Sequence, residues 1–241
     1  MTQKQVYRLA KFVAHSGYCS RRDAEKLIIK GLILVNGVVV TNCATMVTAS
    51  DEVMVHGRKI NIIKYPRLWL CNKPKGCITT HNDPQGRTTL FSLLPTDMPY
   101  VISVGRLDYN TEGLILLTDS PKLARYLEHP SSEITRQYKC RIFGALSDDH
   151  LRQLKNGVCV DGIQYGCIHG EFIKTQGAYT WVMLSLKEGK NREIRKIIKY
   201  FGFEVCRLIR VQYDKFHLNM LVKNFTMELG IESVNEYMRL I

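Results

Sequence analysis

Gly105-Arg106-Leu107-Asp108-Tyr109-Asn110-Thr111-Glu112-Gly113-Leu114-Ile115-Leu116-Leu117-Thr118 places one carboxylate between two apolar segments. Upstream, Val101, Ile102 and Val104 read as a strand, and downstream the run 114–117 reads as another. A rigid scaffold then holds Asp108 at a strand end, and Gly105 and Gly113 permit close approach of backbone or substrate. Aspartate is also a common turn residue. By these properties alone a turn aspartate is the plainer reading.

Working outward, residues 68–71, 101–103, 114–117, 138–143 and 181–186 read as strands, and 121–128, 147–155 and 192–201 as helices. In 181–186, Trp181, Met183 and Ser185 oppose Val182, Leu184 and Leu186 with period two. Irregular alternation of this kind predicts an α+β fold with a mixed, mainly antiparallel sheet rather than a doubly wound one.

The N-terminal part has a different grain. Leu9, Phe12 and Val13 recur at helical spacing before Gly17, and Ser20 offers an N-cap for a second helix ending near Lys30, with Gly31 as its stop. The segments 32–35 and 38–40 flank Asn36-Gly37, the preferred two-residue type I′ turn of a hairpin. Residues 1–30 carry seven cations (Lys4, Arg8, Lys11, Arg21, Arg22, Lys26, Lys30) against Asp23 and Glu25, which favours phosphates. Lys64-Tyr65-Pro66 interrupts the strand pattern, so a small α/β module at 1–62 and a larger domain at 63–241 are expected.

The whole chain of 241 residues has 34 Lys+Arg against 22 Asp+Glu, a formal charge of +12 that points to an anionic partner. Apolar runs such as 32–35 are too short to span a bilayer, and the start lacks the apolar core of a signal peptide, so a cytoplasmic protein with eight free thiols is expected. No Cys-x-x-Cys spacing occurs, and the phosphate-loop, dinucleotide, zinc-protease and nucleophile-elbow motifs are all absent. Neither a metal nor a cofactor is expected.

At this point resemblance adds what spacing cannot. Gly105, Arg106, Leu107, Asp108, Thr111, Gly113, Leu114, Leu117 and Thr118 match the catalytic motif G-R-L-D-x-x-T-x-G-L-x-x-L-T of RsuA/RluA-type pseudouridine synthases. Asn72-Lys73-Pro74-Lys75-Gly76 resembles that family's first motif, Arg136-Gln137-Tyr138-Lys139-Cys140 its tyrosine motif, and the stretch 188–197 its third motif. Residues 7–58 resemble the small RNA-binding module named for ribosomal protein S-four. Segments 81–87 and 201–211 look most like the RluB-type branch, which modifies large-subunit ribosomal RNA. Two departures stand out: Ser50-Asp51 replaces the usual Gly-Asp, and Asp214 stands where a glycine is common.

The resemblance implies isomerisation of uridine to pseudouridine at an unpaired site in ribosomal RNA, without a cofactor. Asp108 would be the essential carboxylate, as nucleophile or as base. Tyr138 would lie against the base with its hydroxyl placed for the proton leaving carbon 5, and Arg195 would pair with Asp108. Arg106 would help the target nucleotide leave its stack, Ile197 would pack on the uracil, and Lys73 and Arg192 would contact substrate. Lys11, Arg21 and Arg22 would face RNA. A further basic strip over 187–215 is expected to bind phosphates. Ribosome assembly intermediates are possible partners, and a monomer is expected. The alternative is a non-catalytic RNA-binding or ribosome-assembly factor that retains the fold; DNA binding by the N-terminal helices is the weaker third reading, since the Asn36-Gly37 hairpin suits the RNA module better.

Overall fold

The computed structural model describes residues 5–221 and 225–241, so Lys4 lies outside the described residues. The chain begins with β1 (Val6–Arg8), α1 (Leu9–His15) and α2 (Arg21–Ile29), followed by β2 (Ile33–Val35), β3 (Val38–Val39), β4 (Met46–Thr48), β5 (Val53–Val55) and β6 (Arg58–Ile60). Leu9, Phe12 and Val13 are buried together with Ala24, Ile28 and Ile33, so both helices close over the sheet β3-β2-β5-β6. Each large side chain in that core contributes about 1.5–3 kcal/mol by leaving water. Ser20 Oγ accepts from the Asp23 amide at 3.1 Å, which is the N-cap read from sequence. Asn36 (φ 50°) and Gly37 (φ 80°) both have positive φ, as a type I′ turn requires. Ser50 in place of glycine leaves the neighbouring turn intact, because the Asp51 carboxylate accepts from the Thr48 amide (2.7 Å) and Asn36 Nδ2 (2.9 Å).

The larger part contains β7 (Leu68–Lys73), β8 (Ile102–Val104), β9 (Thr111–Thr118), α3 (Pro121–Glu128), β10 (Arg136–Phe143) and α4 (Asp148–Asn156). It continues through β11 (Cys159–Val160), β12 (Ile163–Gln164), β13 (Ile168–Gln176), β14 (Tyr179–Leu186), α5 (Glu193–Tyr200), β15 (Glu204–Tyr213) and β16 (Phe216–His217), and ends with β17 (Thr226–Glu228) and α6 (Ile231–Met238). Nine strands form one sheet in the order β13-β14-β10-β15-β9-β7-β17, with β8 on β9 and β16 on β15. All its pairs are antiparallel except β9 with β15. The fold is therefore the mixed, mainly antiparallel α+β architecture expected.

Strand β9 is buried on both faces. Leu114 and Leu116 join Leu123 and Leu127 of α3 and Val234 and Tyr237 of α6, while Ile115 and Leu117 join Trp69, Cys71, Leu90 and Leu107. A third core lies under α4 and α5, where Cys140, Ile142, Val182 and Leu184 meet Leu154, Ile194 and Ile198. The parallel β9–β15 contact needs Gly113: at φ +105°, a Cβ there would stand 2.3 Å from the Arg210 carbonyl oxygen. Asp214 adopts φ 53°, the left-handed conformation a glycine would take, with its amide donating to the Thr135 carbonyl at 2.8 Å and its carboxylate accepting from the Tyr237 hydroxyl. The backbone is thus retained despite the substitution. Among the described residues no helix is long and apolar enough to cross a membrane.

Candidate active site

Asp108 stands in the β8–β9 loop, and each flank of that loop is fastened to a different element. Gly105, at φ +69°, donates its amide to Glu128 Oε1 at the end of α3 (2.7 Å). Leu107 is buried, and its backbone is clamped twice by Thr79: the Leu107 amide donates to Thr79 Oγ1 (3.2 Å) and Thr79 Oγ1 donates to the Leu107 carbonyl (2.9 Å). The Thr111 amide donates to the Asp108 carbonyl (3.0 Å), closing a turn. Lys73 Nζ donates to the carbonyls of Asp108 (3.1 Å), Thr111 (2.9 Å) and Pro74 (3.1 Å).

That arrangement corrects the expectation that Lys73 contacts substrate. Its side chain is fully buried, and its ammonium already has three carbonyl acceptors, so it positions the aspartate loop instead. Burial holds its pKa below the usual lysine range, with Cys77, Asp108 and Glu112 opposing the shift.

The guanidinium beside Asp108 is also not the expected one. Arg192 Nη1 lies 3.7 Å from Asp108 Oδ2. Arg195 instead donates to the Asn110 carbonyl (2.9 Å) and the Val205 carbonyl (3.1 Å), tying the aspartate loop to the start of β15. The reason lies in how α5 begins: Arg192 is an exposed N-cap in the left-handed conformation (φ 51°), whereas Arg195, one turn further on, is drawn down to backbone carbonyls. Burial and the neighbouring Arg192 lower the Arg195 pKa, with Asp108 and Cys140 acting in the opposite direction.

Asp108 opens into a cleft of about 1060 Å³ that is also lined by Arg106, Tyr138, Arg192, Ile194 and Leu208. Tyr138 is half-buried on β10 and packs on two of the three cores of the larger part. Arg106 is exposed at the loop. Ile197 does not line the cleft: it is 1% exposed and packs in the core beneath α5, and Ile194, one helical turn earlier, takes the cleft position. Asp108, Tyr138, Arg106, Arg192 and Arg195 thus line one cleft, Arg195 also holding the loop together with Lys73, while Ile197 stays in the core.

The third motif also supplies a carboxyl pair. Burial, followed by the neighbouring Glu188, holds the Glu193 pKa well above its ordinary value. Burial raises Glu188 too, but contacts from Glu193, Lys190 and the Gly166 amide outweigh it and leave Glu188 lowered. Glu193 Oε1 is buried with no hydrogen-bond partner, and Glu193 Oε2 accepts from the Lys190 amide (3.0 Å). Together these contacts brace the 188–193 loop that carries Arg192 to Asp108.

The strip expected over 187–215 is mostly spent within the protein. Lys187 pairs with Glu133, Lys190 with Glu188, Arg207 with Glu112 and Lys215 with Glu236, while Arg195 and Arg210 turn inward to carbonyls. In contrast, Arg21 and Arg22 of the N-terminal module are exposed, and Lys11 lies with its Nζ 5.5 Å from the Tyr7 ring centroid. None of these three has an acidic partner among the described residues. Sequence reasoning missed Thr79 and Glu128 as parts of the site, since neither falls in a position whose spacing marks it.

Residues 67–200 match the RNA pseudouridylate synthase family and residues 8–53 the S4 domain. The chain is 47% identical to an "Uncharacterized RNA pseudouridine synthase" of Rickettsia felis, over 90% of this chain and 93% of that one. It is 36% identical to ribosomal large subunit pseudouridine synthase B of Yersinia pestis, over 96% of this chain and 75% of that one. A solved structure described as a pseudouridylate synthase shares the fold at a TM-score of 0.68 and 22% identity, covering 95% of this chain and 98% of that one. With a family match across more than half its length and relatives this similar, the chain belongs to the RNA pseudouridylate synthase family.

Proposed function

We propose that this chain isomerises a uridine of large-subunit ribosomal RNA to pseudouridine, with Asp108 as the catalytic carboxylate. The observation that carries the reading is Asp108 itself, about one-third exposed on a loop braced by Lys73, Thr79, Glu128 and Arg195, and facing a cleft shared with Tyr138, Arg106 and Arg192. The large-subunit target is supported by relatives named ribosomal large subunit pseudouridine synthase B, 36–37% identical to this chain.

The reaction breaks the bond from ribose carbon 1′ to uracil nitrogen 1, turns the base, and joins carbon 1′ to carbon 5. The carbon 5 proton is lost and nitrogen 1 ends protonated, so product and substrate are isomers and no electrons are exchanged. Asp108 acts at the glycosidic region as nucleophile or base. Tyr138 lies along the base, with its hydroxyl directed to the departing proton. A uridine inside a helix cannot reach Asp108, so the nucleotide must leave its stack, at least cost where it is already unpaired. Arg106, exposed beside the aspartate, holds the opened RNA. Residues 1–62 dock RNA through Lys11, Arg21 and Arg22, and residues 63–241 carry out the chemistry.

The test is pseudouridine mapping of ribosomal RNA from cells lacking this gene, complemented with wild type or Asp108→Asn. One site should be missing and should return only with wild type. Restoration by Asp108→Asn would refute the assignment and leave a non-catalytic RNA-binding factor.

A further inference from the structure

We propose that Arg210 and Arg136, both packed on Tyr213, form a phosphate subsite in the cleft that takes a phosphodiester of the RNA strand beside the target uridine. This deepens the proposed function and rests on it for the identity of the RNA.

Arg210 is 3% exposed and Arg136 6% exposed, yet both line the cleft that holds Asp108. Their guanidinium carbons each lie 5.0 Å from the Tyr213 ring centroid, so two positive charges flank one aromatic ring. Among the described residues neither forms an ion pair with a carboxylate. Buried charges are ordinarily paired, because removal from water is costly.

The two arginines are held differently. Arg136 donates to the carbonyls of Lys187, Leu127 and Glu128 and to the Tyr213 hydroxyl, which in turn donates to the Leu127 carbonyl. It is fixed and caps the end of α3. Arg210 donates from Nε to the Leu114 carbonyl at 2.6 Å, while its Nη2 is buried with no partner at all. Three residues earlier on the same strand, exposed Arg207 makes a two-point contact with Glu112 (2.6 and 3.1 Å). The exposed arginine, which water could satisfy, has a carboxylate; the buried one does not.

An anion resolves this. A planar guanidinium matches the oxygens of a phosphate, whereas a uracil carbonyl would satisfy the hydrogen bond but leave both charges uncompensated. Because β15 pairs with β9 at Arg210 and Gly113, a phosphate on Arg210 would be held in register with the loop that presents Asp108.

Crystals of the full chain soaked in sodium selenate test the site directly by the anomalous signal of selenium. A peak within hydrogen-bond reach of Arg210 Nη2 supports the proposal, and selenium elsewhere only, or nowhere, overturns it. In solution, filter binding of a large-subunit ribosomal RNA transcript across a salt titration compares wild type with Arg210→Gln and Arg210→Lys. The Gln variant should flatten the salt slope by about 0.7–0.9, one phosphate's worth, and the Lys variant should keep the wild-type slope. An unchanged slope in folded Arg210→Gln overturns the proposal; if that variant does not fold, the selenate experiment decides. Wild-type protein that binds selenate but forms no pseudouridine would sink the proposed function and leave the anion site standing, while an active enzyme without the peak would sink the subsite alone.

Discussion

In the N-terminal module Arg21 and Arg22 stand exposed in the first turn of α2 without an acidic partner, whereas around the aspartate loop Lys73 and Arg195 direct donors to backbone carbonyls. The same two residue types therefore serve different ends. An exposed cation attracts RNA through its field and through counterion release, and tolerates small displacement. A cation bonded to carbonyls fixes a loop, and its loss removes geometry rather than attraction. Removal should accordingly be costly for folding around the aspartate loop and nearly free in the module.

The sharpest way to break this contrast is Lys73→Met, which leaves three carbonyls of the aspartate loop without their donor. Urea unfolding should show a loss of about 3–5 kcal/mol. A change no larger than that at an exposed lysine would end the distinction. Gly113→Ala comes next, since its Cβ would meet the Arg210 carbonyl oxygen at 2.3 Å in a left-handed backbone. A loss of about 2–4 kcal/mol is expected in thermal unfolding, accompanied by loss of pseudouridine formation.

Glu193→Gln sharpens the comparison through pH. The Glu193 pKa rises from its ordinary 4.5 to about 8, so between these values the folded chain keeps a proton that the unfolded chain has lost. Stability contributed by this group is therefore complete below pH 4.5 and declines as pH rises toward 8, by about 1–2 kcal/mol after the opposing Glu188 is allowed for. Melting temperatures of Glu193→Gln should fall less over that range than those of wild type; parallel curves would show that the pair holds no proton. The smallest effect on folding is expected for Arg21→Glu with Arg22→Glu, within about 0.5 kcal/mol. The same double variant should flatten the salt dependence of RNA binding by about 0.7–0.9 per lost phosphate contact. If the slope does not change, the module takes no part in RNA binding.

What sequence could convey followed from local chemistry. The Asn36-Gly37 turn, the Ser20 cap and α3 are written in residues that act on their immediate neighbours. Strand β9 was visible because its apolar run is continuous, which suits burial on both faces. Strands β13 and β15 were not read. Beyond Ile168, β13 is almost wholly exposed and shows no apolar period, and in β15 Arg207, Arg210 and Gln212 interrupt the alternation. The motifs that carry Asp108, Tyr138, Arg192 and Arg195 do meet at one cleft, but motif spacing could not tell which of two arginines one helical turn apart would face the carboxylate. Nor could it distinguish Ile194 from Ile197, or a lysine that touches substrate from one that fastens a loop, because those outcomes depend on how α5 and β7 enter the sheet.

The parallel pairing of β9 with β15 carries a consequence for synthesis. Thr111, Glu112 and Gly113 find their partners only at Leu208, Ile209 and Arg210, so nearly a hundred residues must be translated after the aspartate loop before that side of it can close. Contacts of such long sequence separation form late. A nascent chain that has completed the N-terminal module and the apolar strand behind Asp108 still lacks both the strand and the Arg195 tether that give the carboxylate its place. A chain cut short before β15 would therefore carry Asp108 on a loop fastened on one side only.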